Sequence, residues 1–212
     1  MDLERDRLRL LAKLDAEIDD KRVIDAMTRV RRELFVPYEM KHSAYEDRPL
    51  PIGEGQTISQ PFIVALMTQE LHLAGNEKVL EIGTGCGYQA AVLAELSKWV
   101  VTVERIESLA RRARRTLTLA GYRNIEVHVN SKSLGWPRKA PYDAIIVTAA
   151  APKIPPEVMD QLQVGGRLVI PVGSRWEQNL LKVVKKREGM YVKNLTLCRF
   201  VPLIAQEAWG DE

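Results

Sequence analysis

The chain has 212 residues, enough for one α/β domain with a sizeable core or at most two small ones. Its 46% hydrophobic, 28% charged and 6% aromatic residues exclude a disordered, fibrous or bilayer-resident chain. The 31 basic and 28 acidic side chains leave a formal charge of +3, so overall charge gives no reason to expect a dedicated nucleic-acid binder, although a local basic patch is still allowed. The longest apolar stretch, Ala144 to Pro152, is about half of the ~20 residues that span a bilayer. Charges alternate from Asp2 to Arg7 where a signal peptide needs an apolar core, so secretion is not expected. Cys86 and Cys198 lie far apart without CxxC spacing, and His42, His72 and His128 show no metal-ligand spacing. The expectation is a cytoplasmic, monomeric protein with no metal, no disulfide framework and no nucleic-acid or membrane partner.

In chain order, Leu3, Leu10, Leu11, Leu14 and Ile18 recur at helical spacing, and so do Val23, Ile24, Met27 and Val30, a pattern expected to stop at Pro37. Residues 49–61, rich in turn formers, read as a shaped loop before a helical pattern from Phe62 to Leu71. From Lys78, β-branched runs alternate with helical patterns: Val79 to Ile82, Val100 to Val103, Ile125 to Val129, Ala144 to Thr148 and Arg167 to Val172. Five runs separated by helices predict a parallel, doubly wound sheet, with Gly165-Gly166 as the turn into the fifth strand. Leu180 to Lys186 and Tyr191 to Leu203 flank Glu188-Gly189 as an antiparallel hairpin that closes the sheet. The division falls near residue 75: residues 1–75 form a helical cap and substrate loop packed on the main domain, and residues 76–212 the α/β domain.

The run Val79-Leu80-Glu81-Ile82-Gly83-Thr84-Gly85-Cys86-Gly87 places a glycine turn between a buried strand and a helix, where backbone amides approach a ligand closely. Its GxGxG spacing has Tyr88 where a dinucleotide-binding turn wants its third glycine, which demotes NAD. A plain strand-to-helix connection would use the same turn. Glu104 ends the second strand about 20 residues later, where a carboxylate accepts hydrogen bonds from ribose hydroxyls. Together with the closing hairpin, these features resemble the class I S-adenosylmethionine-dependent methyltransferases, Rossmann-like α/β proteins.

The fourth strand ends Thr148-Ala149-Ala150-Ala151-Pro152, without the Asn/Asp-Pro-Pro-aromatic motif of amino methylation in nucleic acid. Neither cysteine follows a proline, so the cytosine C5 nucleophile is missing too. The site supplies no obvious base, which suits a carboxylate acceptor: with a pKa near 4 it is already ionised at pH 7. Catalysis is then alignment and desolvation, with donors such as Thr57 and Ser59 holding the acceptor oxygen. Ser59 could equally cap the following helix, with Pro61 near its first position, and both roles could coexist.

The stretches Leu50-Pro51-Ile52-Gly53, Gly55-Gln56-Thr57-Ile58-Ser59-Gln60-Pro61, Leu80-Glu81-Ile82-Gly83-Thr84-Gly85, Val103-Glu104-Arg105, Tyr142 to Pro152 and Gly165 to Gly173 resemble protein-L-isoaspartate O-methyltransferases from about Val30 to Leu203. The resemblance implies methyl transfer from S-adenosylmethionine to the free α-carboxylate of L-isoaspartyl residues in damaged proteins, with S-adenosylhomocysteine as the other product. The ester would close to a succinimide and partly reopen as aspartate. It implies Ser59 as the active-site residue, and cofactor contacts from Gln56, Thr57, Ile58, Ser59, Gly83, Thr84, Gly85, Gly87, Glu104, Arg105 and Ser131.

Two departures stand out. Cys86 replaces the family's usual serine, a small change in a turn where low exposure is expected. Asn130-Ser131-Lys132-Ser133 replaces Gly-Asp-Gly, whose aspartate accepts from the adenine amino group, so Ser131 should weaken cofactor binding without abolishing it. Alternative readings are a class I methyltransferase acting on RNA or a small molecule, and a cofactor-binding protein with little turnover. The arginines 111, 112, 114 and 115 lie opposite the Ile106, Leu109, Ala110, Ala113, Leu117 and Ala120 stripe, as a solvated face. Trp209 would cover the cofactor or fray.

Overall fold

The computed structural model describes residues 2–204; Trp209 lies outside the described residues. Helix α1 (Leu3–Glu17) starts on Asp2, whose side chain accepts from the Arg5 amide, and buries Leu10 and Leu14. Helix α2 (Lys21–Arg29) starts on Asp20 in the same way and buries Val23, Ile24, Ala26 and Met27. It ends at Arg29, well before Pro37, and short 3-10 turns follow at Arg32–Leu34 and Tyr38–Ser43. The reason is packing: Val30, Phe35 and Val36 are all buried, and no helix presents those three positions on one face.

The stretch read as a loop contains a small hairpin, β1 (Leu50–Gly53) and β2 (Gln56–Ile58), turning at Glu54-Gly55 with both φ angles positive, 55° and 68°. Helix α3 (Pro61–Glu70) begins after Gln60, with Pro61 in its first turn. Ser59 is therefore not its cap. The Phe62 amide, which has no partner within the helix, is met by Asp47 Oδ1 at 3.0 Å, a carboxylate from outside the local segment.

Seven strands form one sheet: β3 (Lys78–Ile82), β4 (Trp99–Glu104), β5 (Ile125–Val129), β6 (Tyr142–Val147), β7 (Leu162–Gly173), β8 (Gln178–Lys185) and β9 (Met190–Cys198), in the order β5-β4-β3-β6-β7-β8-β9. The first five are parallel, while β8 pairs antiparallel with both β7 and β9. The last strands thus run as a meander to the edge.

Helices α4 (Tyr88–Ala94), α5 (Glu107–Leu119) and α6 (Pro156–Gln161) supply three of the crossovers. The β5 to β6 connection departs from the expected alternation, since it holds only a 3-10 turn at Pro137–Lys139. Gly165-Gly166 lies inside β7, where the register against β6 slips between Tyr142↔Leu162 and Ala144↔Arg167. The final strand stops at Cys198, and the chain returns across the sheet: the Ala150 amide donates to Val201 O and the Leu203 amide to Ala150 O, both at 2.8 Å.

Successive residues of the parallel strands face opposite layers. Val79, Val100, Ala144, Ile146 and Val169 pack with α1 to α4, while Leu80, Val101, Ile145, Val147 and Leu168 pack with Val158 and Leu162 on the other side. Because both layers are sealed, ligand access falls to the carboxyl ends of β3, β4, β5 and β6, where the order reverses at β3 and β6.

Candidate active site

At those strand ends lies a cavity of about 330 Å³. Gln56, Thr57, Ile58, Ser59, Gly83, Thr84, Gly85, Glu104, Arg105 and Ser131 line it; Gly87 does not.

The glycine turn forms one wall. A side chain on Gly83 would strike the Thr148 hydroxyl, which itself donates to Gly83 O at 2.7 Å and locks the turn to the end of β6. Gly87, at φ 91°, starts α4 and packs its backbone on Leu117 and Ala113 of α5, so its role is close helix packing. Four amides of this turn are committed internally. Gly83 and Thr84 donate to Val103 O at 2.9 and 3.2 Å, Gly87 to Thr84 O at 2.8 Å, and Gly85 to Glu104 Oε2 at 2.9 Å. The turn is therefore a shaped wall, and not the open fan of donors that cradles a phosphate.

Glu104 is buried at the end of β4. Its Oε2 accepts from Gly85 and its Oε1 accepts from the Ile106 amide, each at 2.9 Å, which fixes the carboxylate while leaving further lone pairs for a ligand. Beneath the turn runs a buried chain in which the Thr84 and Thr102 hydroxyls lie 2.6 Å apart and Thr102 donates to Glu81 Oε2 at 2.6 Å. Glu81 Oε1 has no partner although it is sealed from solvent in the cavity lining. Burial, reinforced by the nearby Glu104 charge, pushes the Glu81 pKa up to about 8. Sequence reasoning passed over this residue, yet an acid inside an apolar strand was the visible signal.

The opposite wall is the loop of β2. The Thr57 and Ser59 hydroxyls make no hydrogen bond to other described residues, so both remain available to a ligand, while Ser59 O is held by Arg32 Nη2 at 2.9 Å. Cys86 is half-buried in the lining, and burial pushes its thiol up to about 11. It stays protonated at neutral pH and is no nucleophile.

The segment after β5 holds its shape without Gly-Asp-Gly. Asn130 Nδ2 donates to Ser133 O at 3.0 Å and Gly135 O at 3.1 Å. Glu157 Oε2 accepts from the Leu134 amide at 3.1 Å, while Gln161 bonds both Leu134 O and the Trp136 amide. Ser131 stands exposed at the rim. Val201 to Ile204 close the remaining side, a contribution of the chain's return that the strand pattern did not disclose. No group of three or more potential metal ligands occurs among the described residues. The four arginines of the basic run are exposed, as the apolar stripe opposite them predicts, and two also brace their neighbours: Arg112 donates to Ile52 O at 3.1 Å and Arg114 to Val127 O at 2.7 Å.

A doubly wound sheet with this meander, a glycine turn after β3 and a carboxylate after β4 is the Rossmann-like methyltransferase fold. The chain belongs to the protein-L-isoaspartate(D-aspartate) O-methyltransferase family, whose model matches residues 6–208. It is 50% identical over 212 residues to the protein-L-isoaspartate O-methyltransferase of Geobacter metallireducens, covering 100% of this chain and 98% of that one. It is 55% identical over 205 residues to protein-L-isoaspartate O-methyltransferase 1 of Syntrophobacter fumaroxidans, covering 97% and 96%. A solved protein-L-isoaspartate O-methyltransferase superposes with a TM-score of 0.85 at 29% identity, over 95% of this chain and 67% of that one. A Plasmodium falciparum protein solved with S-adenosyl-L-homocysteine shares the fold, at 24% identity and a TM-score of 0.79 over 92% of this chain and 96% of that one.

Proposed function

We propose that this chain methylates the free α-carboxylate of L-isoaspartyl residues in damaged cytoplasmic proteins, and so initiates their repair through a succinimide. The observation that carries the reading is a single cavity with the glycine turn and Glu104 on one wall and two unpartnered hydroxyls, Thr57 and Ser59, on the other. The residues fit S-adenosyl-L-methionine. Glu104 offers fixed acceptors to the ribose, and Ile82, Val103 and Leu134 offer apolar surface to the adenine. Arg105 and Ser131 complete the rim, while Gln56 and Ile58 set the position of the loop. Residues 1–75 then deliver the substrate loop and residues 76–212 the cofactor site.

When bound, S-adenosyl-L-methionine supplies an electrophilic methyl group on a sulfonium, and its transfer leaves the thioether S-adenosyl-L-homocysteine. The acceptor is ionised at pH 7 and needs no base, in keeping with a cavity lining that contains no histidine. Thr57 and Ser59 donate to the acceptor carboxylate and hold one oxygen in line, while Val201 to Leu203 exclude water from that end. Thr148 takes no proton, because its hydroxyl is committed to Gly83 O.

The test is incubation with methyl-labelled S-adenosyl-L-methionine and two peptides that differ only in an isoaspartyl or a normal aspartyl linkage. Label is expected in the isoaspartyl peptide alone. Equal labelling of both, or of neither while cofactor still binds, would refute the reading. Ser59→Ala is expected to lower turnover at least tenfold with little change in S-adenosyl-L-homocysteine affinity.

A further inference from the structure

Arg32 is the largest fully buried side chain among the described residues, 1% exposed. Its Nε donates to Ala44 O at 2.8 Å and its Nη2 to Ser59 O at 2.9 Å, and its Cζ stands 5.0 Å over the centroid of the Tyr88 ring. Nη1 has no hydrogen-bond partner, and no carboxylate among the described residues forms an ion pair with the guanidinium. The two acids nearest in sequence or field are engaged elsewhere: Glu33 with Arg31 and Tyr45, Asp47 with Lys13 and the Phe62 amide. Sealing a cation away from water costs several kcal/mol, and among the described residues no carboxylate pairs with it directly, the Asp47 charge acting only at a distance.

The charge lies directly behind the cavity wall. Ser59, Cys86 and Tyr88 all line the cavity, Ser59 O is bonded to the guanidinium, and the Cys86 and Tyr88 side chains both feel its field. On the reading given above, the group delivered to Ser59 is a carboxylate. We infer that Arg32 is a positioning residue for that acceptor: its unpaired buried charge makes the Ser59 end of the cavity selective for an anion, while its bond to Ser59 O holds the loop that presents the hydroxyl. It acts through the wall and does not touch the reacting atoms. A unit charge acting over one side chain's thickness of protein changes the affinity of an anion on the order of tenfold to a hundredfold.

The experiment titrates the protein, loaded with S-adenosyl-L-homocysteine, with an isoaspartyl peptide and with the same peptide bearing an α-carboxamide. Wild type is expected to favour the carboxylate at least tenfold, on the order of the field effect above. Arg32→Gln removes the charge and should shrink that preference severalfold, with S-adenosyl-L-homocysteine affinity within about twofold of wild type. Arg32→Lys keeps the charge and should keep the preference. A charge sealed this deeply is poorly screened, so the wild-type preference should also persist at about 0.5 M salt.

An unchanged preference in Arg32→Gln, its loss in Arg32→Lys, or its collapse in salt would each overturn the inference. If Arg32→Gln does not fold, the lysine variant and the salt series still decide. A wild-type protein that does not favour the isoaspartyl carboxylate at all would instead remove the substrate reading, and this inference with it.

Discussion

A carboxyl group without access to water must find a cation or keep its proton, and Glu81 keeps its proton. Its pKa of about 8 stands well above the ordinary 4.5, because burial disfavours the charge and Glu104 repels it. The folded protein therefore holds a proton that the unfolded chain releases between about pH 4.5 and 8, so this group's contribution to stability falls as pH rises through that window. Replacing Glu81 with Gln removes the titration. Urea unfolding at pH 5 and pH 9 is expected to show the variant gaining on the order of 2–4 kcal/mol over wild type at the higher pH relative to the lower. Equal differences at both pH values would mean that Glu81 is ionised throughout. Ser131 poses the converse problem, an uncharged rim hydroxyl where a charged acceptor would bind a ligand amino group more strongly. Ser131→Asp should tighten S-adenosyl-L-homocysteine about fivefold, worth about 1 kcal/mol, by calorimetry. Unchanged affinity would separate this position from the adenine. The sequence made Ser131 legible because a motif broke there; Glu81 was visible as an acid inside an apolar strand, but its missing partner and its closeness to Glu104 depend on strand pairings that no local window contains.

Helix α3 and the loop before it show how far local rules reach. Ser59 and Pro61 spell a helix start, and Pro61 does occupy the first turn, but the cap is Asp47, which also pairs with Lys13 of α1 at 2.7 Å. Burial alone would raise the Asp47 pKa, yet the Lys13 and Phe62 hydrogen bonds more than offset this and hold it below the ordinary carboxylate value. Delegating the cap to a distant residue leaves the Ser59 hydroxyl open to the cavity. Asp47→Ala should cost about 1–2 kcal/mol of stability and raise KM for an isoaspartyl peptide while leaving cofactor affinity intact. A loss of stability with unchanged KM would show that α3 does not set the loop. The strands of the sheet were readable because each is a short β-branched run with turn formers at its ends. The β1–β2 hairpin was not, since Pro49 and Pro51 mask its strand pattern, and neither was the end of α2, which is dictated by burial of Val30, Phe35 and Val36. The order of β8 and β9 depends on pairings that no single residue encodes.

At the scale of the molecule, the near-balanced charge of +3 offers little long-range attraction for an anionic substrate, so on the proposed reading recognition rests on local groups: two hydroxyls and a sealed guanidinium. Those groups come from the first 75 residues, whereas the glycine turn and Glu104 come from the sheet, and the reaction needs them in fixed register. One continuous apolar cluster provides that register. Leu14, Ile18 and Val23 are at most 1% exposed and belong to the same cluster as Val79, Leu93, Val100 and Ala144. A shared core implies that helices and sheet unfold together. Leu14→Ala, which removes a fully buried side chain, is expected to cost about 2–5 kcal/mol. Among the described residues the tryptophans Trp99, Trp136 and Trp176 all lie in the sheet or its connections, so their fluorescence reports the sheet while far-UV circular dichroism reports every helix. The two transitions should shift together in Leu14→Ala. An early loss of circular dichroism with fluorescence unmoved would reveal the N-terminal helices as a separately melting cap, and the Ser59 loop would then be free to move relative to the cofactor site.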